Sequence, residues 1–129
     1  MPSISGTGTP SASSSSAFSI AVAGVEGQKQ GLIYYGVSGP TALPWGPGSS
    51  WLCVQPPTQR TGTQMSGGTA GACDGSLGLD WRAWVQSSPA ALGVPFAVGQ
   101  SVWAQAWFRD PPAPKTTNLS NALEFTLAP

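Results

Sequence analysis

The chain has 129 residues, enough for one domain with a real core and too few for two. Five basic and five acidic residues cancel to a formal charge of zero, which argues against nucleic acid and anionic membrane as partners, because both call for a basic surface. Only 8% of residues are charged, so solubility must come from Ser, Thr, Gln and Gly.

Thirteen Pro and 17 Gly interrupt the chain too often for long helices, and short strands joined by turns are the natural outcome. No apolar run approaches the roughly 18 residues of a membrane span. No basic segment with an apolar stretch behind it opens the sequence, so no signal peptide is read there; Met1 directly before Pro2 reads as an added start that would hide any signal of a longer precursor.

In chain order, residues 2–5 suit a short first strand anchored by Ile4. Residues 6–16 are rich in Ser, Gly and Thr, which suits either a flexible linker or, since Ile4 has little reason to exist in a loose tail, a loop tied down at both ends. Phe18, Ile20 and Val22 alternate with Ser19, Ala21 and Ala23, the pattern of a half-buried strand. Residues 31–37 are apolar on both sides and suit a central strand, in which Tyr34 or Tyr35 is either core or turned to a ligand. Residues 38–50, with three Pro and Trp45, read as a loop. Residues 51–54 form a short strand and residues 58–65 a polar edge strand on which Arg60 discourages edge-to-edge pairing. Residues 66–75 form a Gly-rich loop. Period two returns in Leu77, Leu79, Trp81, Ala83 and Val85, with Asp80, Arg82 and Trp84 opposite. Asp80 and Arg82 are then close enough to pair, and Trp81 is the Trp best placed for the core.

Residues 101–110 run without Gly or Pro up to Pro111. They separate into Val102, Ala104, Ala106 and Phe108 on one face and Trp103, Gln105, Trp107 and Arg109 on the other. The small aliphatic set suits an interior. After a turn at residues 111–115, Leu123, Phe125 and Leu127 mark a terminal strand. Seven or eight short strands and no convincing helix predict an all-β fold, a single antiparallel β-sandwich over residues 1–129, with jelly-roll and Ig-like topologies both open.

Cys53 and Cys73 bracket about 20 residues, and no His is present to complete a zinc site. The choice is a disulfide or two thiols. Composition like that of exported bacterial proteins favours the disulfide, which would contribute roughly 3 kcal/mol.

From residue 51 onward the chain carries a specific pattern: Trp51-Leu52-Cys53-Val54-Gln55-Pro56-Pro57-Thr58-Gln59-Arg60-Thr61, then Ser66-Gly67-Gly68 and Cys73-Asp74-Gly75-Ser76. Trp107-Phe108-Arg109-Asp110-Pro111 follows, and then Asn118-Leu119-Ser120-Asn121-Ala122-Leu123-Glu124-Phe125-Thr126. The chain from Pro2 onward resembles the small β-rich modules at the C-terminal ends of large secreted proteins of environmental bacteria. The resemblance implies an exported module once attached to something larger, with its cysteines paired. No catalytic residues come with it.

The lack of His removes Ser-His-Asp and Cys-His arrangements. Of the five carboxylates, Asp80 and Glu124 alone fall on predicted strands, and a solvated face or an ion pair suits them better than the flanking pair of a glycosidase. Asp74, Asp110 and Asn118 could offer oxygens to calcium, but no D-x-D-x-D spacing supports it. The expectation is a protein that is not an enzyme and needs no metal or cofactor.

What remains is aromatic surface. Six Trp is several times ordinary usage. Trp103 and Trp107 share a face about 13 to 14 Å apart, where indole planes can stack on the apolar faces of pyranose rings and Gln105 can bond hydroxyls. Trp84, Trp45, Trp51 and Tyr35 would extend such a platform. The sequence is read as a secreted, non-catalytic module that binds polysaccharide by aromatic stacking. The alternative is a structural or adhesion module whose Trp-bearing face meets another copy or a larger secreted partner.

Overall fold

The computed structural model describes residues 2–13, 16–47, 50–111 and 116–129. The strands among them, in chain order, are β1 (Ser3–Gly8), β2 (Phe18–Val25), β3 (Gln30–Gly36), β4 (Pro40–Trp45) and β5 (Ser50–Val54). There follow β6 (Gln59–Met65), β7 (Gly75–Asp80), the single helix α1 (Trp81–Ser87), β8 (Ser101–Arg109) and β9 (Thr117–Thr126). A first sheet runs β1-β2-β7 and a second runs β6-β3-β8-β9, every pairing antiparallel. The two sheets pack face to face as a β-sandwich. The β4–β5 hairpin is paired with neither sheet and lies on the outer face of the second.

The alternation read from the sequence decides what goes inside. Phe18, Ile20 and Val22 of β2 face Val102, Ala104, Ala106 and Phe108 of β8 across the sandwich, with Ile33 and Tyr35 of β3 beside β8 in the same layer. Each large side chain so buried contributes roughly 1.5–3 kcal/mol of transfer free energy. Strand β3 is apolar on both sides because both of its sides are covered: Ile33 and Tyr35 enter the main core, while Leu32 and Tyr34 enter a second cluster beneath the hairpin with Val54 and Leu119.

The seams between layers are closed by side-chain amides. Gln64 on β6 donates to the Gly78 carbonyl (3.0 Å) and accepts from its N–H (2.9 Å), joining the edge of the second sheet to the edge of the first. On the opposite seam, Asn121 of β9 accepts from the Ile4 N–H of β1 at 2.9 Å. Residues 10–12, inside the stretch read as loop or linker, are tied to the C-terminus: Ala12 N–H donates to Ala128 O, Ala128 N–H to Pro10 O, and the Ser11 hydroxyl to Pro129 O. Gly6 to Gly8, at the start of that stretch, belong to β1.

Four expectations need correction. Residues 38–50 are not all loop: β4 pairs with β5, and Pro40 and Pro44 are tolerated because β4 has no second neighbour to receive their missing N–H groups. The strand expected through Val85 stops at Asp80, whose carboxylate caps α1 by accepting from the Ala83 N–H at 3.1 Å instead of pairing with Arg82. In helical geometry Trp81 and Trp84, three residues apart, come to the same side instead of opposite sides. Both meet Tyr35 edge-on, at 5.0 and 5.6 Å between centroids, and Trp81 is buried as expected.

The cysteines are unbonded. Cys53 belongs to the outer hairpin, whereas Cys73 lies in the loop that leads into β7 of the first sheet, and the second sheet stands between those layers. Packed sheets are spaced about 10 Å apart, and a disulfide needs Cα atoms within roughly 7 Å. The turn expected at residues 111–115 lies largely outside the described residues.

Candidate functional site

The outer face of the second sheet was the face expected to carry a platform of Trp103, Gln105 and Trp107. The parity of β8 is as read, but the β4–β5 hairpin covers the middle of that face. Gln105 is fully buried and holds the hairpin down. Its Nε2 donates to Trp51 O (2.7 Å) on β5 and to Ser120 O (2.6 Å) on β9. Its Oε1 accepts from the Cys53 N–H (3.0 Å) and the Tyr34 hydroxyl (2.7 Å). The amide therefore meets β5 as a neighbouring strand would, offering a donor to one residue and an acceptor two residues on. All four hydrogen-bonding positions are used, so Gln105 has nothing left for a ligand.

The register makes room for this. The β8–β9 ladder is irregular between Gln105 and Trp107, and Ser120 fills the gap, its hydroxyl accepting from Ala106 N–H (3.0 Å) and donating to Asn121 O (2.7 Å). Because β5 passes over Gln105, it lies between Trp103 and Trp107 and divides the expected platform. Trp103 is half-buried against the hairpin cluster, and its indole N–H is enclosed with no acceptor.

What is left open is a cleft of about 430 Å³ beside the hairpin, at the Trp107 end of the face. Its size is that of ordinary small-molecule sites. Leu32 and Tyr34 of β3 and the Trp107 ring of β8 form the floor. Trp45 and Leu52 of the hairpin form one wall, and Arg60 and Thr63 of the edge strand β6 the other, with Thr58 and Gln30 at the rim. Trp45 is held by its indole N–H, which donates to the Thr117 hydroxyl at 3.1 Å. Arg109 lies over the Trp107 ring with its guanidinium carbon 5.6 Å from the centroid, a cation–π arrangement that fixes both groups. Burial, with the Cys53 thiol nearby, pushes the Tyr34 phenol well above its ordinary range, so it remains a donor to Gln105.

Of the residues expected to bind ligand, Trp45 and Trp107 meet in this cleft. Trp51 is half exposed on the far side of the hairpin, facing away from it. Tyr35 and Trp84 lie on the other side of the second sheet, packed in the core, where the Tyr35 hydroxyl donates to Leu92 O at 2.6 Å. Tyr34, not Tyr35, is the tyrosine of the outer face. Arg60, Leu52 and Thr63 were missed as site residues because the hairpin and edge strand that bring them together are set by pairing across the chain, for which a single sequence carries no local signal.

Two of the residues that could have offered carboxylate oxygens to calcium are engaged within the protein. The Asp74 carboxylate accepts from the Thr69 N–H at 2.8 Å, and that bond holds it below its usual range. Asp110 accepts from the Asn118 amide at 3.2 Å. Among the described residues no three His, Cys, Asp or Glu side chains come together as metal ligands do, and no helix is long and apolar enough to cross a membrane.

No protein-family model, curated protein or solved structure matches this chain.

Proposed function

We propose that this chain is a non-catalytic carbohydrate-binding module of an exported protein, and that it takes its ligand in the cleft beside the β4–β5 hairpin. The observation that carries the reading is the meeting of Trp107 and Trp45, from different layers, in one open cleft rimmed by Gln30 and Thr58, with Thr63 in its wall. A pyranose has one face of C–H bonds and an equator of hydroxyls. The C–H face suits an indole plane, and hydroxyls suit amide and hydroxyl side chains at a rim. Trp107 is the stacking ring in this reading, Trp45 the opposing wall, and Gln105 a support beneath them that never touches the sugar.

Affinity electrophoresis through gels carrying soluble polysaccharides tests it. Trp107→Ala abolishes retardation, and Trp107→Phe, which keeps a smaller ring and most of the packing, retains part of it. Trp51→Ala, outside the cleft, leaves retardation unchanged. Equal retardation of all three variants rules the cleft out.

A second reading follows from the face of the hairpin turned away from the cleft, where Trp51 is about half exposed (51%). Contact between copies through that surface would make the protein an adhesion or assembly module. It predicts a concentration-dependent dimer that Trp51→Ala abolishes, measured by light scattering.

A further inference from the structure

The charged side chains lining the cleft are all of one sign. The chain carries five basic and five acidic residues. Arg60 and Arg109 both line the cleft, and no Asp or Glu does. Both arginines are exposed. Among the residues lining the cleft nothing cancels their field, and Asp110, next in sequence to Arg109, is engaged by the Asn118 amide. On an otherwise apolar and hydroxyl-bearing surface, two uncompensated guanidiniums favour negative charge in the ligand.

Their placement says more than their number. Arg60 is paired in register with Tyr34 of β3, while Phe108 is paired with Gly31, which sets Arg109 beside Gln30. Tyr34 and Gln30 are four residues apart along β3, and β6 and β8 flank it on opposite sides. Strand rise and strand spacing then put the two backbone positions about 16 Å apart, at diagonal corners of the floor. Arginines anchored that far apart suit an extended chain bearing charge at intervals better than a single small anion, which would have to draw both side chains to one point. Arg109 also takes one face of the ring proposed to stack the sugar, so a pyranose on the other face of Trp107 lies within reach of a guanidinium for its ring substituents. Guanidinium matches the paired oxygens of carboxylate and of sulfate alike.

We infer, resting on the carbohydrate reading above, that the cleft selects an anionic polysaccharide, its charge carried as uronate carboxylate or as sulfate ester. Nucleic acid, the other common polyanion, fits less well. It carries a charge about every 3.4 Å along each strand, and its binding calls for a dense basic surface, not two cations set far apart.

The whole chain is titrated by calorimetry against polygalacturonate and alginate for the carboxylate arm, dextran sulfate and carrageenan for the sulfate arm, and dextran and xyloglucan as neutral chains. A single-stranded oligothymidylate is included. The expected result is binding to at least one anionic glycan at least tenfold tighter than to either neutral one. Arg60→Gln and Arg109→Gln each weaken it about fivefold and flatten its salt dependence, and the Lys variants recover most of the loss. Neutral glycans bound as tightly as acidic ones, with the Gln variants unaffected and Trp107→Ala inactive, overturn the charge selectivity and leave the carbohydrate reading standing. Binding to no glycan by a folded protein overturns both. Oligothymidylate bound as tightly as the best glycan also overturns the assignment.

Discussion

The Tyr34 hydroxyl donates a 2.7 Å hydrogen bond to Gln105 Oε1 in a buried interface between the second sheet and the hairpin laid across it. That bond joins neighbouring strands of one sheet on the side the hairpin covers, and the same oxygen also accepts from the hairpin backbone at Cys53. The pair therefore links β3, β8 and β5 at one point.

Replacing Gln105 with Leu strands a buried hydroxyl, a backbone N–H and two carbonyls at that point. Each unsatisfied buried group costs about 1–3 kcal/mol, so Gln105→Leu is expected to lower unfolding free energy by roughly 3 kcal/mol or more in urea titrations. A loss under about 1 kcal/mol would show that the hairpin is not held there. Gln105→Glu keeps the shape but sets a carboxylate against the Trp51 and Ser120 carbonyls. Its folded pKa must rise above the unfolded value near 4.3, so this variant loses stability as pH rises through that value, whereas the parent does not.

Burial pushes the Tyr35 phenol up to about 12. The unfolded phenol titrates near 10. Its contribution is thus fully present below pH 10 and is lost as pH climbs toward 12, because the unfolded chain releases its proton first. Thermal midpoints taken from pH 8 to 12 should fall most steeply above pH 10. Tyr35→Phe should start lower, having lost the bond to Leu92 O, and decline less steeply.

An aromatic disulfide that exchanges with free thiols is expected to react at both cysteines of the native protein without prior reduction, faster at Cys73 because it is the more exposed. Dithiothreitol should leave the thermal midpoint unchanged. Removing a disulfide that closed a loop of about 20 residues would instead cost roughly 3 kcal/mol.

Two glycines on strands separate close packing from mere absence of a side chain. A Cβ at Gly36 would lie 2.8 Å from Val54 Cγ1, 3.0 Å from Gln55 O and 3.1 Å from Pro57 O, so Gly36→Ala should push the β5 end of the hairpin away at a cost of about 1–3 kcal/mol. At Gly78 the nearest atom, Ile20 O, is 3.9 Å away, and Gly78→Ala should be neutral or stabilising by up to about 1 kcal/mol. Chemical denaturation of the two variants side by side decides it.

Much of the sandwich was legible because its core strands follow strict period two. Phe18, Ile20 and Val22, and Val102 to Phe108, could be placed inside from alternation alone. Two signals misled. Leu77 to Val85 keeps period two across a strand-to-helix boundary, and only the capping carboxylate of Asp80 marks the change. Pro40 and Pro44 read as loop because nothing local says that β4 is an edge. The face of β8 carrying Trp103 and Trp107 was correctly separated from the core, but its cover comes from a hairpin some 50 residues earlier in the chain. Gln105 looked like a ligand contact because a fully committed amide and a free one are identical in sequence.

The seams closed by Gln64, Gln105 and Asn121 have a consequence for the conditions the protein tolerates. Primary amides have no proton to lose or gain across ordinary pH, and no counter-ion whose release depends on brine or fresh water. A fold fastened by such neutral clasps is expected to keep its layers together over a wide range of pH and ionic strength.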